Sequence, residues 1–591
     1  MIQSHISKSR DKFAAIVLLL IIFFLPLLEA KAQQQRRARE DRRPPIANNP
    51  SSDTTLTQTS RPRLVLLIVV DQFRYDYLER FGDLFAPNGL RMMLSNGASW
   101  TNTNYDHTPT YTAPGHATLM TGTWPSENGI IANEWFDREA GKNVTSVSDE
   151  GGITLGGEGE RAASPRRLTA STVGDELRLA TNNRAKVIGI SVKDRSAILP
   201  AGRNASAAYW FSTRTGRMVS SNYYFNALPP WVARFNDAKP ADKFFGQTWE
   251  RLLPESEYLR RAGRDAPAWE DIGTTKDTNA FPHTITGGSQ QPDAGFYTAL
   301  DYSPFSNDLL VSFAKQAVEN ENLGADEDTD VLAVSFSAND YVGHRFGPYS
   351  HEAMDITLRV DRQIGELLDF INRRVGLENT VVVFTADHGV APIPEHAAAL
   401  NLPGGRIKAA DVLAAMRAGI KARYNRPDSS ADTTVDYISA FTNDNVYFNT
   451  TALRRDRINR EEIERVAGEA AMTVPGITRY FTRTALENFT SSATDPLARR
   501  VLHGFNPRRS GDLVVIHEPF KYLLDYPITA THGSPYSYDT HVPLVIMGRN
   551  FKRGTYRDAA MPADLAPTLA TVLRLQPPSN VTGRTLVEGL N

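Results

Sequence analysis

The chain has 591 residues, enough to bury a large core, and its 41% hydrophobic and 22% charged content are ordinary for a globular protein. Its 65 basic and 67 acidic residues give a net charge of −2, so no overall positive field attracts nucleic acid, and we expect no specific nucleic-acid partner. The absence of cysteine excludes disulfides, thiolate metal ligands and a lipid-modified N-terminal cysteine.

The N-terminus has the pattern of an export signal. Basic residues precede the apolar run 13–28, and Ala30 and Ala32 supply the small residues of a cleavage site. We therefore predict a signal peptide over residues 1–32 and a periplasmic or secreted protein with no stable membrane association after cleavage. The alternative is an uncleaved anchor, although the run is short for a bilayer span and Pro26 interrupts it.

Residues 33–61 are polar and charged without apolar periodicity, which predicts a disordered linker. We assign residues 62–591 to one folded domain. Unbroken apolar runs rich in β-branched residues recur in it, as is typical of buried parallel strands. The predicted strands are Leu64–Val70, Val187–Val192, Val331–Ser335, Thr380–Thr385 and Val542–Met547.

Amphipathic stretches such as Ala353–Val375 separate these runs. Strands that alternate with helices predict an α/β fold with a mostly parallel central sheet sandwiched by helices. Two stretches, at about 203–303 and 395–530, break this alternation. We expect them to be cap-like insertions over the carboxyl edge of the sheet, where α/β proteins bind their ligands.

The first predicted strand is followed directly by Asp71. Burying an unpaired charge is costly, so this carboxylate is expected to bind a metal ion, to cap a helix or to form a salt bridge. Further along, Thr112 and Pro114 begin a helix, and its free N–H groups and positive dipole end suit a phosphoryl group. A plain helix cap is the alternative for Thr112. Thr110 is a competing hydroxyl, and we expect His116 to pack or to form a structural hydrogen bond.

Two cations, Lys193 and Arg195, follow the second predicted strand and point the same way if the chain is extended. A guanidinium binds two phosphate oxygens at once, and an ammonium acts as a point charge. The alternative is a solvated cluster that Asp194 partly neutralises. Asn133 is a candidate donor of an amide N–H to another phosphate oxygen.

Carboxylate and imidazole pairs follow two more predicted strands. Asp340 and His344, four positions apart, face the same way on a helical turn. Asp387 and His388 are adjacent and precede a glycine. Zinc accepts both oxygen and nitrogen ligands, so both pairs are candidate metal ligands, although a turn with a hydrogen-bonded histidine would also explain the second pair.

His532 and His541 are both candidates for a last ligand. Gly533 lets the backbone place His532 freely, whereas His541 directly precedes a predicted strand; this difference and the family resemblance given below together favour His532.

These motifs together resemble the alkaline phosphatase superfamily, and most of all the threonine-nucleophile, phosphate-irrepressible bacterial alkaline phosphatases of the PafA type. The resemblance covers about residues 62–591. Within the superfamily, Thr112 and the absence of cysteine argue against a sulfatase, and the export signal argues against a phosphoglycerate mutase. The segments that carry the resemblance are VVDQFRYDYL, TYTAPGHATLMTGTWPSENGIIANEW, SVKDRSAILPAG, SFSANDYVGHRFGP, FTADHGV, THGSPYSYDTHVPL and DLAPTLATVLRLQPP.

The resemblance implies two Zn²⁺ ions and hydrolysis of small-molecule phosphate monoesters through a phosphothreonine at Thr112. It implies one zinc ion held by Asp71, Thr112, Asp387 and His388, a second held by Asp340, His344 and His532, and a phosphoryl group contacted by Asn133, Lys193 and Arg195. A Lys/Arg pair favours the dianionic monoester. The alternatives are a phosphodiesterase or nucleotide pyrophosphatase on the same scaffold and an inactive metal-holding binding protein.

We further expect a monomer. The aromatic side chains of the first insertion are expected to help select the substrate; they are Tyr209, Trp210, Tyr223, Tyr224 and Phe225.

Overall fold

The structure is a computed structural model that describes residues 61–270, 279–424, 435–489, 495–526 and 528–591. The expected signal peptide, and all but the last residue of the expected linker, lie outside the described residues. In the part of the chain that is described, no helix is long and apolar enough to cross a membrane.

Strands are labelled in chain order. They are β1 (Leu64–Val70), β2 (Ala98–Trp100), β3 (Glu134–Asp137), β4 (Lys142–Thr145), β5 (Thr154–Leu155), β6 (Val187–Ser191), β7 (Ala207–Ser212), β8 (Arg217–Ser221), β9 (Thr248–Trp249), β10 (His283–Thr284), β11 (Asp330–Phe336), β12 (Thr380–Thr385), β13 (Gly405–Ile407), β14 (Ile438–Thr442), β15 (Asn445–Phe448), β16 (Ile477–Thr482), β17 (Leu513–His517), β18 (Lys521–Leu523), β19 (Leu544–Met547) and β20 (Gly554–Tyr556).

Helices are labelled in the same way. They are α1 (Asp76–Phe81), α2 (Leu90–Asn96), α3 (Thr112–Thr121), α4 (Pro125–Asn128), α5 (Val173–Ala180), α6 (Asp194–Ala201), α7 (Pro230–Asp237), α8 (Glu255–Ala262), α9 (Ala294–Asp301), α10 (Pro304–Asn320), α11 (Ala338–Phe346), α12 (His351–Arg374), α13 (Pro394–Ala399), α14 (Ala409–Tyr424), α15 (Thr450–Arg455), α16 (Arg460–Ala471), α17 (Arg483–Glu487), α18 (Pro496–Gly504), α19 (Ser537–Thr540) and α20 (Leu565–Leu573).

Ten strands form the central sheet, in the order β20-β2-β19-β12-β1-β11-β6-β7-β8-β5. The five strands β12, β1, β11, β6 and β7 run parallel to one another. Side chains alternate between the two faces of a strand, so β1 buries Leu66 and Ile68 in the core on one side and Val65 and Leu67 in the core on the other. Burial on both faces explains why the run is unbroken and confirms the predicted α/β fold.

All five predicted strands are present, and Leu64–Val70 and Thr380–Thr385 have the predicted bounds. The predicted helix Ala353–Val375 corresponds to α12 and packs on the core that contains Leu66. One prediction is wrong in direction, because β19 pairs with β12 in the antiparallel sense. A strand buried on both faces has the same apolar pattern in either direction, so the pattern of residues 542–547 could not reveal it.

The first of the two insertions contributes to the sheet itself, since β7 and β8 extend it. Tyr209 and Trp210 lie in β7 and are buried in the core, which contradicts the expectation that these two rings help to select the substrate. The second insertion contains a separate four-stranded sheet, in the order β14-β15-β17-β16. Residues of α14 and α16, such as Met416 and Ile463, cover that sheet with a core of their own.

The carboxyl ends of β12, β1, β11 and β6 meet at one edge of the sheet, because these four strands are adjacent and parallel. Asp387 follows β12, Asp71 follows β1, Asp340 follows β11 and Lys193 follows β6. The topology therefore brings residues from opposite ends of the chain to one place.

Candidate active site

Three buried carboxylates and a buried lysine lie at this edge. Asp71, Asp340, Asp387 and Lys193 are each at most 3% exposed. Lys193 Nζ lies 2.8 Å from Asp71 Oδ2 and also forms an ion pair with Asp340. One ammonium group cannot balance the charge of three ionised carboxylates, so this cluster needs further positive charge.

Three histidines share one hydrogen-bond arrangement. Each of their Nδ1 atoms donates to a backbone carbonyl: His344 to Ala530 over 2.7 Å, His388 to Gly389 over 2.8 Å and His532 to Thr110 over 2.8 Å. Because Nδ1–H donates, Nε2 is the ring nitrogen that carries the free lone pair. In metal-binding histidines, a hydrogen bond from the other ring nitrogen orients the ring in the same way.

These Nε2 atoms face the carboxylates. The distances are 3.2 Å from His344 to Asp340 Oδ1, 3.6 Å from His532 to Asp340 Oδ1, 3.3 Å from His388 to Asp387 Oδ2 and 3.4 Å from His388 to Asp71 Oδ1. A lone pair that faces a carboxylate is favourable only with a proton or a metal cation between the two groups. Asp71 Oδ1 is buried and, among the described residues, has no hydrogen-bond partner.

The donors form two adjacent sets. Asp71, Asp387 and His388 offer ligand atoms within 4.8 Å of one another, and so do Asp340, His388 and His532. The rings of His388 and His532 stack with centroids 3.6 Å apart, which puts the two sets side by side. Oxygen and imidazole donors without thiolates suit divalent ions such as zinc, so the residues present fit a pair of metal ions.

Opposing pKa shifts show the charge imbalance at this edge. Burial, reinforced by Asp387, raises the pKa of Asp71 well above its usual value. Burial also acts to raise the pKa of Asp340, but His344 and Lys193 outweigh it and hold that pKa well below the usual value. Burial, together with His388, lowers the pKa of His532. Burial thus favours the neutral form of His532, which is the form in which an imidazole binds a metal ion.

Thr112 begins helix α3, and its Oγ1 lies 3.3 Å from His388 Nε2. The side chain is 1% exposed, so the hydroxyl lies buried beside the donor sets at the start of the helix. Asn133 is held here as well, because its Oδ1 accepts the Ala113 N–H over 2.8 Å. The amide NH₂ of Asn133 is thereby left for another acceptor.

Lys193 and Arg195 differ in their surroundings. Lys193 lies among the carboxylates and over the ring of Tyr341, 4.8 Å from its centroid. The side chain of Arg195 is 26% exposed, and its Nη1 lies 3.8 Å from Asp194. Arg195 Nε is buried and has no hydrogen-bond partner among the described residues. The arginine is therefore the freer of the two cations to bind an anion.

The competing candidates have other partners. His541 Nε2 donates to Thr101 O over 2.9 Å, and the ring stacks on Tyr75, with centroids 4.2 Å apart. Thr110 Oγ1 donates to Ser534 O over 2.8 Å.

Gln72, which directly follows Asp71, was not predicted from the sequence as a site residue. Gln72 adopts φ 66°, and its Nε2 donates to Asp340 Oδ1 over 2.6 Å. Its backbone N–H donates to Asp387 Oδ1 over 3.1 Å. The only signal was its position next to a strand-end aspartate.

Asp539 was also overlooked. Its Oδ2 accepts the backbone N–H groups of Gly533 and Ser534, at 3.1 and 2.8 Å, and so fixes the loop that carries His532. Burial raises the pKa of Asp539 to about 7.

The chain is similar to known proteins over most of its length. Residues 65–537 match the family described as type I phosphodiesterase / nucleotide pyrophosphatase. The chain is 36% identical to alkaline phosphatase PafA of Elizabethkingia meningoseptica (89% of this chain, 94% of the relative) and 34% identical to alkaline phosphatase PhoV of Synechococcus elongatus (90% and 93%). The crystal structure of PafA superposes with a TM-score of 0.81 and 34% identity, covering 90% of this chain and 99% of that one.

Proposed function

The chain belongs to the type I phosphodiesterase/nucleotide pyrophosphatase family, within the alkaline phosphatase superfamily, and from that premise we propose that it is an exported two-zinc phosphomonoesterase that acts through a phosphothreonine at Thr112. It is a phosphatase, since curated alkaline phosphatases match about nine-tenths of the chain. The observation that carries the finer proposal is the arrangement of three Nε2 atoms facing buried carboxylates beside a helix-terminal hydroxyl.

We assign one zinc ion to Asp71, Thr112, Asp387 and His388 and the other to Asp340, His344 and His532. When bound, such ions would lower the pKa of a nearby hydroxyl and compensate the charge of the reacting phosphoryl group. Buried carboxylates with incomplete pairing and correctly oriented imidazoles support this assignment.

In the first step, Thr112 Oγ loses its proton and bonds to phosphorus as the bond from phosphorus to the alcohol oxygen breaks. The attacking and leaving oxygens lie roughly in line, and the alcohol takes up a proton from water. In the second step, water attacks phosphorus and loses a proton, the bond to Thr112 Oγ breaks, and the threonine hydroxyl is restored. Inorganic phosphate leaves.

The remaining residues bind and orient the phosphoryl group. The Asn133 amide NH₂ is a donor close to Thr112, since Asn133 Oδ1 is held by the Ala113 N–H. Arg195 supplies a planar guanidinium, and Lys193 supplies charge close to the carboxylates. Because the transition state is loose, positioning and charge compensation contribute more than covalent chemistry.

A phosphodiesterase is the second candidate, because the matching family is described by that activity. A diester carries an ester group where a monoester carries a free charged oxygen. The Lys193/Arg195 pair gains more from the dianionic monoester, which favours the monoesterase.

The deciding experiment compares an aryl phosphate with its methyl diester, using wild type and Thr112→Ala with zinc supplied. We expect a strong monoester preference that the substitution abolishes. Dominant diester turnover would assign the protein to the phosphodiesterases, and absence of turnover of either ester would favour the metal-holding binding protein.

Export is supported by the pattern of residues 1–32. N-terminal sequencing of the protein released from the periplasm should begin at Gln33. A chain that still begins near Met1 in the membrane fraction would instead indicate the uncleaved anchor.

A further inference from the structure

A pocket of about 480 Å³ opens beside His344 and His532. Its walls come from the start of α3, from the loop before β3, and from the second insertion. Its lining includes aromatic and acidic side chains, among them Tyr111, Glu134, Phe441, Asp444, Asp525 and Tyr526. The pocket adjoins the donor set that we assign to the second zinc ion, so it lies where the alcohol part of a substrate would extend.

Tyr111 lines this pocket beside the second donor set. Its ring packs edge-on against His532, with centroids 5.6 Å apart. Tyr526 is 62% exposed at the rim of the pocket. Both tyrosines line the pocket together with the carboxylates of Glu134 and Asp444.

The turn between β14 and β15 carries the Asp444 carboxylate and is joined to the backbone of Glu134. Asn443 and Asp444 adopt φ 49° and 61°, a backbone shape that Asn and Asp tolerate better than most residues. Asn443 Nδ2 donates to the backbone oxygen of Glu134 over 2.6 Å, and Val515 N–H donates to the backbone oxygen of Asp444 over 3.0 Å. The insertion and the loop that carries Asn133 are thus joined at the wall of the pocket.

The negative charge of this wall is not cancelled. Lys521 also lines the pocket, but its Nζ pairs with Glu518 at 3.0 Å. His517 donates its Nδ1–H to the backbone oxygen of Glu518 over 3.0 Å. Within the described ranges of the chain, Glu134 has no basic side chain at ion-pair distance. A negative excess remains beside the exposed ring of Tyr526 and the partly exposed rings of Tyr111 and Phe441.

We propose that this pocket selects phosphate monoesters whose alcohol carries an ammonium group over those whose alcohol carries further anionic groups. The inference rests on the proposed function, because it needs a phosphoryl group at Thr112 to point the alcohol into the pocket. Aromatic faces attract ammonium groups, and carboxylates at the same wall add a Coulomb attraction that works against a second anion.

The test uses three esters whose alcohols differ in charge: aminoethyl phosphate (cationic), hydroxyethyl phosphate (neutral) and phosphoglycolate (anionic). The variants are Glu134→Gln and Asp444→Asn, which each remove one charge and keep the shape, and Asn suits the positive φ of position 444. The measured quantities are the kcat/KM ratios of the charged esters to the neutral one. Comparing these ratios between wild type and variants cancels the intrinsic reactivity of each ester.

Each variant should lower the cationic-to-neutral ratio about fivefold and raise the anionic-to-neutral ratio by a similar factor, as expected for a partly exposed charge pair. Glu139→Gln, which removes an exposed charge in the turn after β3, is the matched control and should leave both ratios unchanged. Ratios that stay at their wild-type values in both variants, or that move in the same direction for both charged esters, would overturn this inference while hydrolysis of the neutral ester continues. Failure of zinc-loaded wild type to hydrolyse the neutral ester would overturn the proposed function, and this inference with it.

Discussion

The side-chain amide of Gln72 donates a hydrogen bond of 2.6 Å to Asp340 Oδ1. Through its backbone N–H, the same residue holds Asp387 Oδ1 at 3.1 Å. Gln72 thus connects a carboxylate of one donor set to a carboxylate of the other. A residue that binds no ion in our assignment therefore fixes the relative positions of those that do.

Gln72→Asn should weaken metal retention about 10- to 100-fold, the usual effect of losing a residue that hydrogen-bonds to a metal ligand. Asparagine tolerates the φ of 66° but is one methylene too short to reach Asp340. The measurement is zinc content after dialysis against graded chelator. The exposed Gln316→Asn is the control, and wild-type retention in the Gln72 variant would contradict the prediction.

Gly343→Ala should destabilise the protein by about 1–3 kcal/mol. A methyl group there would lie 1.8 Å from Gln72 Oε1, whereas alanine normally stabilises a helix interior by about 1 kcal/mol relative to glycine. Urea unfolding compares the free energy of unfolding of this variant with that of wild type. Gly82→Ala is the control, because nothing lies within 4 Å of its added Cβ. A Gly343 variant as stable as wild type would show that Gln72 moves without cost.

Arg195→Ala should reduce monoester turnover about 10- to 100-fold more than diester turnover, because the charge-assisted bonds to a free phosphoryl oxygen are lost. Matched aryl mono- and diesters give the ratio. Lys193→Ala is a less clean probe, since Lys193 also pairs with Asp71 and Asp340. Equal losses for both esters in the Arg195 variant would speak against a phosphate-binding guanidinium.

Glu270→Gln should make the protein more resistant to alkaline unfolding. Burial, with help from Glu352, raises the pKa of Glu270 from 4.5 to about 10. Between these values the folded state keeps a proton that the unfolded state loses, so stability falls as the pH rises, by at most about 1.4 kcal/mol per pH unit. The glutamine stays neutral and avoids that loss.

The stability of the Glu270 variant relative to wild type should therefore grow from pH 5 to pH 10, as followed by thermal unfolding. Glu139→Gln, at an exposed position, should show no such trend. A constant difference between the Glu270 variant and wild type over this range would contradict the assigned shift.

The sequence predicted the parallel strands well, because a strand buried on both faces must be apolar at every position, as Leu64–Val70 is. It also predicted that Asp71, Asp340 and Asp387 would meet, since carboxyl ends of adjacent parallel strands share an edge. Strand direction was not readable, because β19 is equally apolar and runs antiparallel.

The second layer of the site could not be predicted for another reason. Gln72, Asp539 and the Asn443–Asp444 turn act through contacts between segments that are remote in sequence, such as the 2.6 Å bond from Asn443 to Glu134. No local pattern encodes such a contact. Tyr209 and Trp210 show the converse, since a run of aromatic residues that suggested a binding surface fills the core.

The donor residues span the chain from Asp71 to His532, and strands β1 and β12, adjacent in the sheet, are separated by about 310 residues of sequence. During synthesis, the ribosome must therefore release nearly nine-tenths of the polypeptide before the last imidazole can join the others. A nascent chain that ends before residue 532 lacks one of the residues that we assign to the second metal ion. On this assignment, such a fragment should retain less metal than the full chain.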